Sequence, residues 1–366
     1  MSGNSCGSKK SAGLKSEKPE GEEYKMKALM KKEAGRGMDG IVLCDIPKPE
    51  PESRELLIKV MAAGICGTDI HIMEDAYPHS VPVVLGHEFT GIVEKMGKDV
   101  KGFSIGDQVI VHNIIGCGHC HYCMKGDYVF CSEKQSIGVN LNGGMAEYVT
   151  APYDHAMVVP ESMKGKDIPA LSEPLACCVR GVLEQTKIGP GDKVLVTGPG
   201  VIGLLCAQLA KLCGAYVIVS GTGLDKERLK LAKKQGADQT ADQPDTLKEI
   251  VASCTEQGVD VVLECSGSAG AMAGALELIR KQGRYTQVGM FGKNISVDMD
   301  TICRKEIEFH GTFATAHSTW EKLLKLYQQD NLQLEELVSQ RLPLSEWKKG
   351  FEMFQKKEGN KIFLIP

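Results

Sequence analysis

The stretch KVLVTGPGVIG, residues 193–203, constrains the fold of this 366-residue chain more than any other part of the sequence. A continuous apolar run ends in Gly198-x-Gly200-x-x-Gly203, and a segment with helical periodicity follows directly. Glycines in this pattern close a tight turn and let the backbone approach a pyrophosphate, whose charge meets the helix N-terminus. The motif therefore predicts a dinucleotide site, with a glycine turn that binds nothing as the alternative reading.

Strands and helices alternate beyond this turn. The strands YVIVSG, VDVVLECSG and GRYTQVGM are interleaved with the helical patterns KERLKLAKKQG, PDTLKEIVASCTEQG and GALELIRKQG. Such alternation predicts a doubly wound parallel sheet covered by helices on both faces. The fold class is thus α/β, with a doubly wound cofactor domain over residues 177–315.

The residues before this domain have a different sequence pattern, typical of strands. KALMKK, ELLIKVMAAGIC, FTGIVEKMG, GDQVIVHN and AEYVTAP are short runs rich in β-branched residues and broken by Gly, Pro and Asp. They predict a β-rich domain over residues 26–176, preceded by a flexible tail at residues 1–25 whose Lys, Glu, Gly and Ser give it little to bury. Residues 316–366 form a return segment, and its final strand KIFLIP is expected to rejoin the first domain.

The end of the strand YVIVSG bears on the choice between NAD and NADP. An acidic residue there would hydrogen-bond the ribose 2′-hydroxyl, whereas small or basic residues admit a 2′-phosphate. Here Gly221 and Thr222 follow the strand, and the first carboxylate is Asp225. The sequence leaves both cofactors open. The predicted cofactor contacts are Gly198, Gly200, Val201, Ile202, Gly203, Gly221, Thr222, Cys265, Ser266, Val288 and Gly289.

Four cysteines lie within fifteen residues, in the spacing Cys117-x₂-Cys120-x₂-Cys123-x₇-Cys131. This spacing suits four thiolates that close a tetrahedral shell around zinc. A shell filled by four sulfurs has no vacancy for a substrate, so the pattern predicts a structural zinc site. The interleaved His119 and His121 are expected to face solvent. An iron–sulfur cluster is the competing interpretation.

A second group of metal-binding residue types is spread along the chain. Cys66 lies in GICGTDIH, and His87 and Glu88 lie in GHEFTG. A catalytic zinc takes three protein ligands and keeps one position open. Cys66 and His87 supply two of these ligands, and the third is either Glu88 or Glu173, the latter in LSEPLACC.

Such a zinc would activate an alcohol. It acts as a Lewis acid that lowers the pKa of a bound oxygen, so that hydride can pass from the carbon of the alcohol to a nicotinamide. The proton must then leave a closed site. Thr68 and His71, three residues apart and next to Cys66, are predicted to relay it as hydroxyl and imidazole.

Composition excludes several other classes of function. The formal net charge of −4 gives no support for nucleic acid as a partner. No run of eighteen apolar residues predicts a membrane span, and residues 1–23 lack the apolar core of a secretory signal. Fourteen cysteines without such a signal favour a reducing compartment, and we expect the cytoplasm.

Together these residues resemble the zinc-dependent medium-chain dehydrogenase/reductase family, which includes alcohol, sorbitol and threonine dehydrogenases. The resemblance extends from about Met26 to Pro366. Its most specific element is Gly86-His87-Glu88-x₂-Gly91-x₅-Gly97-x₂-Val100, followed by Gly106-Asp107-x-Val109. It implies a GroES-like catalytic domain, a Rossmann cofactor domain, one catalytic and one structural zinc per subunit, and a homodimer or homotetramer. Glu173-Pro174 resembles the polyol and threonine branch, in which a carboxylate replaces the third-ligand cysteine.

Two departures from the family pattern concern the substrate. Sorbitol dehydrogenases of this type have an Arg-Tyr pair after G-x-F, where this chain has Ala314-Thr315 with His317 nearby. Arg180 stands where polyol relatives often have histidine. The predicted function is hydride transfer between a nicotinamide cofactor and a secondary alcohol, a polyol or sugar derivative. A threonine-type amino-alcohol dehydrogenase and a non-catalytic cofactor-binding protein are the alternatives.

Overall fold

The computed structural model describes Met1 and residues 24–366, so the predicted tail at residues 1–25 lies almost wholly outside the described residues. Within that range the chain forms a seven-stranded and a six-stranded sheet, with smaller sheets of three and two strands beside the first. In the described part of the chain, no helix is both long and apolar enough to cross a bilayer.

The first half of the chain is mostly strand, as its β-branched runs predict. Each of the longer strands buries one face or both, which is how such residues are stabilised in a sheet. In chain order the elements are β1 (Lys25–Lys31), β2 (Ile41–Pro47), β3 (Glu55–Gly64), α1 (Gly67–Met73), β4 (Val83–Val84), β5 (Glu88–Met96), β6 (Gln108–Val111), β7 (Ile114–Ile115), β8 (Gln135–Ser136), β9 (Tyr148–Pro152), β10 (Ala156–Val158) and α2 (Ser172–Val179).

The six-stranded sheet is parallel throughout, in the order β13-β12-β11-β14-β15-β16. Its central strands are almost fully buried because helices cover both faces. The elements are β11 (Lys193–Thr197), α3 (Val201–Leu212), β12 (Tyr216–Ser220), α4 (Lys226–Lys234), β13 (Gln239–Ala241), α5 (Pro244–Cys254), β14 (Val259–Glu264), α6 (Ala269–Leu278), β15 (Ile279–Gln287), α7 (Met299–Arg304) and β16 (Glu308–Gly311).

One predicted helix ends early. The pattern GALELIRKQG predicts a helix as far as Gly283, but α6 ends at Leu278 and β15 begins at Ile279. Ile279 pairs with Val259, and the register then shifts before the rest of β15 aligns with β14. Pairing with β14 therefore overrides the helical periodicity of these five residues.

The C-terminal segment returns to the first sheet. It contains α8 (His317–Gln329), β17 (Val338–Pro343), α9 (Trp347–Gln355) and β18 (Lys361–Ile365). β18 lies antiparallel to β3, with Phe363 opposite Gly64, and β17 lies parallel to β18 at the sheet edge. The main path of the seven-stranded sheet is β10-β6-β5-β3-β18-β17, and β9 pairs with the other part of β3.

Helix α2 joins the two halves. It packs against α3 on one side and α8 on another, and it continues into a π-helical turn at Arg180–Thr186. The predicted domain boundary at residues 176/177 falls inside this helix. One apolar core contains side chains from both large sheets, among them Ile110, Val196 and Phe363. A side chain on α2 can therefore reach a site between the domains.

Candidate active site

A cleft of about 1150 Å³ runs between the two large sheets. Its walls include the turn after β11, the carboxyl ends of β12 and β14, and the segment before β18. Cys66 and Glu88 lie at one end of it. Two of the predicted metal ligands, Cys66 and Glu88, therefore share one cavity with the phosphate-binding turn predicted from the sequence.

The three glycines of the turn serve three different purposes. Gly198 has φ +86°, and a Cβ there would lie 2.7 Å from Ser266 Cβ. A Cβ at Gly203 would lie 1.9 Å from the Gly198 carbonyl oxygen, so this glycine allows α3 to pack against the turn. A Cβ at Gly200 would meet no described atom within 4 Å, and this open space leaves its backbone accessible to a pyrophosphate.

Most of the predicted cofactor contacts line this cleft. They are Gly198, Gly200, Val201, Ile202, Gly221, Thr222, Cys265 and Ser266. Gly203, Val288 and Gly289 are not among the lining residues. Gly203 is covered by its own turn, and a Cβ at Gly289 would lie 2.5 Å from Gly267 N, so both glycines serve backbone packing. Val288 follows β15, and its amide donates to the Glu264 carbonyl.

A small polar network forms the far end of the cleft, beyond β12. Asp225 Oδ2 accepts hydrogen bonds from Thr222 N (3.0 Å) and Thr222 Oγ1 (2.8 Å). Arg228 Nη1 lies 3.4 Å from Asp225 Oδ1, and its other nitrogens donate to the carbonyls of Lys357 and Gly359. Arg228 thus joins the cofactor domain to the loop before β18. The sequence analysis identified Asp225 as the first carboxylate after β12, but it did not predict that Arg228 contacts the loop before β18.

Glu264 organises the loops that face the cofactor turn, and sequence reasoning missed it. Its carboxylate is fully buried at the end of β14. It accepts hydrogen bonds from Thr197 Oγ1 (3.0 Å), Ser266 N (2.9 Å) and Gly267 N (3.0 Å), and also from the side chains of Ser266 and Gln287. Five donors to one buried carboxylate hold the ends of β11, β14 and β15 in a fixed arrangement.

The residues Cys66, His87 and Glu88 come together at the inner end of the cleft, and their potential ligand atoms all lie within 4.8 Å of one another. Cys66 follows β3 as the N-cap of α1, and the other two stand at the start of β5. Gly86, with φ +95°, packs against Met145 and turns the chain into this position. Fold geometry therefore brings Cys66 next to residues that are 21 and 22 positions away in the sequence.

Glu88 and Glu173 occupy different surroundings. Glu88 is buried on β5 above Gly64, where a Cβ would lie 2.3 Å from Glu88 Oε2, so only glycine leaves room for the carboxylate. Glu88 also forms a buried ion pair with Lys361 on β18. Glu173 projects from the first turn of α2 and is partly exposed, with Cys177 Sγ 3.6 Å from its Oε1. Glu173 is not in the group of three whose atoms meet.

Asp69 lies near His87 without a hydrogen bond between the two side chains, a placement that the sequence analysis did not identify. Its Oδ2 accepts a hydrogen bond from Cys66 N at 2.8 Å, and its Oδ1 lies 3.8 Å from His87 Nδ1. Burial raises the pKa of the Asp69 carboxyl, and the nearby His87 opposes this rise. A carboxylate behind an imidazole is the usual support of a metal-binding histidine. The only sequence signal was its position three residues after Cys66.

The charges around this site fit a cation. Asp69, Glu88 and Glu173 bring three carboxyl groups next to the Cys66 thiol, and His87 and Lys361 are the bases among them. Burial raises the pKa of Glu173, and Glu88 adds to the rise. The donor set of thiol, imidazole and carboxylate is the type that binds zinc.

The predicted proton-relay residues lie on one short helix. Thr68 Oγ1 is 3.8 Å from Cys66 Sγ, and His71 is exposed at the last turn of α1. The three-residue spacing places both on neighbouring positions of the helix surface. Among the described residues, no hydrogen bond joins the two side chains directly.

The four cysteines form a compact lobe at residues 116–134, which we call the cysteine lobe. Their Sγ atoms all lie within 4.8 Å of one another, and Cys117 and Cys123 are 4.0 Å apart. A tetrahedral zinc with Zn–S bonds of about 2.3 Å requires sulfurs about 3.8 Å apart, so the geometry fits. A Cβ at Gly116 would lie 2.4 Å from Cys123 Sγ, and glycine leaves this space free. His119 and His121 are exposed.

The cysteine lobe is contacted by two residues that the sequence analysis had linked to the substrate, Arg180 and His317. Arg180 is buried, and both of its terminal nitrogens lie 3.3 Å from Asp127 Oδ1. His317 N donates to the Gly126 carbonyl at 3.0 Å. Thr315 is fully buried and accepts from Trp320 Nε1 at 3.1 Å while contacting His112. None of Arg180, Thr315 and His317 lines the cleft.

Comparison with known proteins identifies relatives over nearly the whole chain. Residues 52–161 match the alcohol dehydrogenase GroES-like domain, and residues 201–329 match the zinc-binding dehydrogenase domain. The chain is 39% identical over 345 residues to a sorbitol dehydrogenase of Halalkalibacterium halodurans, covering 93% of this chain and 99% of that protein. It is 37% identical over 334 residues to the D-arabitol-phosphate dehydrogenase of Enterococcus avium, covering 89% and 93%.

A solved structure agrees with these matches. A putative zinc-binding dehydrogenase from Sinorhizobium meliloti, bound to NADP, superposes with a TM-score of 0.84 at 31% identity, covering 94% of this chain and 100% of that one. The sequence and structural relatives therefore share both halves of the fold.

Proposed function

This chain belongs to the zinc-dependent medium-chain dehydrogenase/reductase family, and on that premise we propose that it oxidises a polyol or sugar-derived secondary alcohol to the ketone. It is an NAD(P)-dependent zinc dehydrogenase with a GroES-like domain and a doubly wound cofactor domain. The observation that supports the proposal best is that Cys66 and Glu88, two members of the group that could hold a metal, line the same cleft as Gly198 and Gly200.

We assign two zinc ions to each subunit. Cys66, His87 and a carboxylate of Glu173 or Glu88 would hold the catalytic ion, which supplies Lewis-acid polarisation of the substrate oxygen when bound. The cysteine lobe would hold the structural ion. Metal analysis of the purified protein tests this assignment, and iron in place of zinc in the lobe would contradict it.

The side chains of the protein are proposed to carry the proton that the alcohol releases. Oxidation of the alcohol to a carbonyl releases the hydroxyl proton and a hydride from carbon, and a bound nicotinamide would accept the hydride. We assign the proton to the Thr68 hydroxyl and then to His71, which is exposed and can release it to water. Thr68→Val and His71→Ala should lower kcat more than they raise KM.

We infer that the cleft accepts the 2′-phosphate of NADP. Gly221 lacks the carboxylate that would repel the phosphate, and Asp225 already accepts two hydrogen bonds from Thr222. Arg228 supplies a cation at this end of the cleft. Arg228→Gln should weaken NADP binding more than NAD binding in a fluorescence titration. NAD binding tenfold tighter than NADP binding in the unaltered protein would contradict the inference.

We further propose that the subunits associate as a homodimer or homotetramer in the cytoplasm. β16 is an edge strand in the six-stranded sheet, and large apolar side chains lie exposed on it and just after it, at Phe309 and Phe313. An exposed apolar edge is suited to pairing with a second copy. The thirteen cysteines in the described residues are all free, which suits a reducing compartment. Light scattering tests the subunit count.

A substrate panel tests the central proposal. Polyols, polyol phosphates, simple secondary alcohols and L-threonine should each be assayed with NAD and NADP by following reduced nicotinamide. The proposal expects the highest kcat/KM for a polyol or its phosphate. A preference for L-threonine, or no turnover of any alcohol by zinc-loaded protein, would contradict it.

A further inference from the structure

Three cysteines from different elements meet beside the cofactor turn, and the proposed function does not use their thiols. Cys178 lies on α2, Cys206 lies on α3, and Cys265 directly follows β14. The Cys206 thiol interacts with the thiols of both Cys178 and Cys265. An isolated buried cysteine behaves as a small apolar side chain. Neighbouring thiols have a further chemistry, because two of them can be oxidised to a disulfide.

The three cysteines differ in their access to the cleft. Cys178 and Cys206 are fully buried, whereas Cys265 is partly exposed and lines the cleft. The residue after Cys265, Ser266, lies against Gly198 of the cofactor turn, where a Cβ would be 2.7 Å from Ser266 Cβ. A small oxidant that enters the cleft therefore meets Cys265 first, and a dinucleotide bound on the turn would cover it.

The arrangement of the three sulfurs does not favour a metal site. Among the described residues, these cysteines are not one of the sets whose ligand atoms all lie within 4.8 Å of one another. Cys178 Sγ lies 3.5 Å from the Ile202 carbonyl oxygen, and Cys265 Sγ lies 3.7 Å from the Leu263 carbonyl oxygen. Cys206 is the sulfur that both of the others contact, so the cluster is suited to pairing Cys206 with one neighbour.

Cys206 is also the best nucleophile of the three. Hydrogen bonds from the Cys178 and Cys265 thiols lower the pKa of the Cys206 thiol, although burial opposes this effect. The contact with Cys206 raises the pKa of the Cys265 thiol, and burial adds to the rise. The thiolate is the reactive form of cysteine. Cys206 can therefore accept the proton of Cys265 when that sulfur reacts, and can afterwards attack the oxidised sulfur.

We propose that Cys206 and Cys265 are a peroxide-sensitive thiol pair, which a hydroperoxide ROOH converts to a disulfide when the cofactor cleft is empty. The Cys265 sulfur attacks the peroxide, Cys206 accepts the thiol proton, and the O–O bond breaks to give Cys265 sulfenic acid and ROH. The Cys206 thiolate then displaces hydroxide from that sulfur, and solvent protonates the hydroxide to water. Two thiols thus lose two electrons, and the peroxide gains them. Protection by the cofactor rests on the proposed function, whereas the oxidation does not.

Peptide mapping of the oxidised protein provides the test. The purified protein, free of cofactor, is treated with hydrogen peroxide, and its remaining thiols are blocked with iodoacetamide. Digestion with trypsin and a glutamate-specific protease separates Cys265 from Cys254, because Glu256 lies between them. We expect a peptide pair linked through Cys206 and Cys265 that dithiothreitol separates. A link between Cys178 and Cys206, or oxidation confined to other cysteines, would overturn the proposal.

Single variants separate the two steps. Cys206→Ala should leave Cys265 as a sulfenic acid that dimedone traps, because no thiol is in place to complete the disulfide. Cys265→Ala should leave Cys206 reduced at the same dose of peroxide. Oxidation of Cys206 in Cys265→Ala would overturn the proposal, since the oxidant would then reach the buried thiol by another route.

Two further cysteines supply matched controls. Cys178→Ala removes the other fully buried thiol of the cluster, and Cys303→Ala removes an exposed thiol on α7. Both variants should still form the link between Cys206 and Cys265. Loss of the link in Cys178→Ala would overturn the assignment of the pair. Loss of the link in Cys303→Ala would overturn the direct reaction in the cleft, because the oxidation would then begin at a surface thiol.

Bound cofactor should protect the pair. NADP at ten times its Kd should slow formation of the link about tenfold, because only the unoccupied fraction of the protein reacts. A fluorescence titration under the same conditions shows how much NADP is bound. An unchanged rate with NADP bound would overturn the proposal. Failure of the proposed function is distinct, since NADP would then not bind in the titration while the disulfide would still form.

Discussion

The cysteine lobe and the Cys66 site are both candidate zinc sites, but the chain builds them in opposite ways. The cysteine lobe takes all its ligand residues from one loop of fifteen residues, so the loop can close around the metal with little help from the fold. The Cys66 site takes its residues from the N-terminus of α1, the start of β5, α2 and β18. A local cluster suits a fixed structural ion, whereas a site assembled from distant elements can keep a position open.

The largest expected effect is on the Cys66 site. Cys66→Ser should remove the softest ligand and lower kcat/KM at least ~10³-fold, since Lewis-acid activation supplies several kcal/mol. Zinc content should fall from two ions to one per subunit, while the melting temperature changes little. Assays of activity and metal content check this. Full activity with two zinc ions would show that the comparison is wrong.

The next effect concerns the cysteine lobe. Cys120→Ala should lower the melting temperature and release one zinc, because structural zinc contributes directly to folding free energy. The remaining folded subunits should keep measurable turnover, since Cys66 and His87 are untouched. Calorimetry and metal analysis at matched protein concentration test this. Retention of two zinc ions would show that the four cysteines do not form a metal site.

A smaller loss of stability is expected at the contact between the cysteine lobe and Arg180. Asp127→Asn removes a carboxylate that pairs with the buried Arg180 and should lower the free energy of unfolding by about 1–2 kcal/mol. The loss is limited because a second carboxylate, Glu184, lies 4.0 Å from the same guanidinium. Urea unfolding measures the change. Glu227→Gln, at an exposed pair with Lys230, is the matched control and should have no measurable effect. Equal losses in both variants would contradict the anchoring role.

The smallest effect is a pH dependence of stability beside the lobe. Burial, together with His155 and His317, holds the pKa of His112 well below its usual value of 6.5. As pH falls below 6.5, His112 therefore becomes protonated in the unfolded chain while it stays neutral in the folded protein. The free energy of unfolding then decreases by at most about 1.4 kcal/mol per pH unit. Urea unfolding at pH 7.5 and 5.5 measures it.

The matched variant for this dependence is His112→Gln, which keeps a polar contact with Thr315 but cannot titrate. The difference in unfolding free energy between the two pH values should be smaller in this variant than in the unaltered protein. The stacked Trp320, the facing Tyr128 and the neighbouring His155 stay in place. An unchanged difference would show that His112 is not the source.

Local patterns account for what the sequence predicted well. The Gly198–Gly203 turn and the four-cysteine spacing concern contacts within a few residues, and the fold class followed from alternating periodicities. Contacts between distant segments had no such signal. In the sequence, Lys361 and Glu264 look like ordinary charged residues at strand ends. Arg180 and Thr315 were linked to the substrate because the sequence does not show that elements distant along the chain bury both side chains.

The pairing of β18 with β3 also has a consequence for synthesis. Gly64 and Phe363 are paired in the sheet, yet about 300 residues of chain are made between them. At about 5–20 residues per second, a ribosome needs roughly 15–60 s to cover that interval. During that time the strand leading to Cys66 has an open edge and Glu88 has no ammonium beside it. The nascent chain is therefore exposed to mispairing at the strand that leads to Cys66, until β18, made about 300 residues later, completes this part of the sheet.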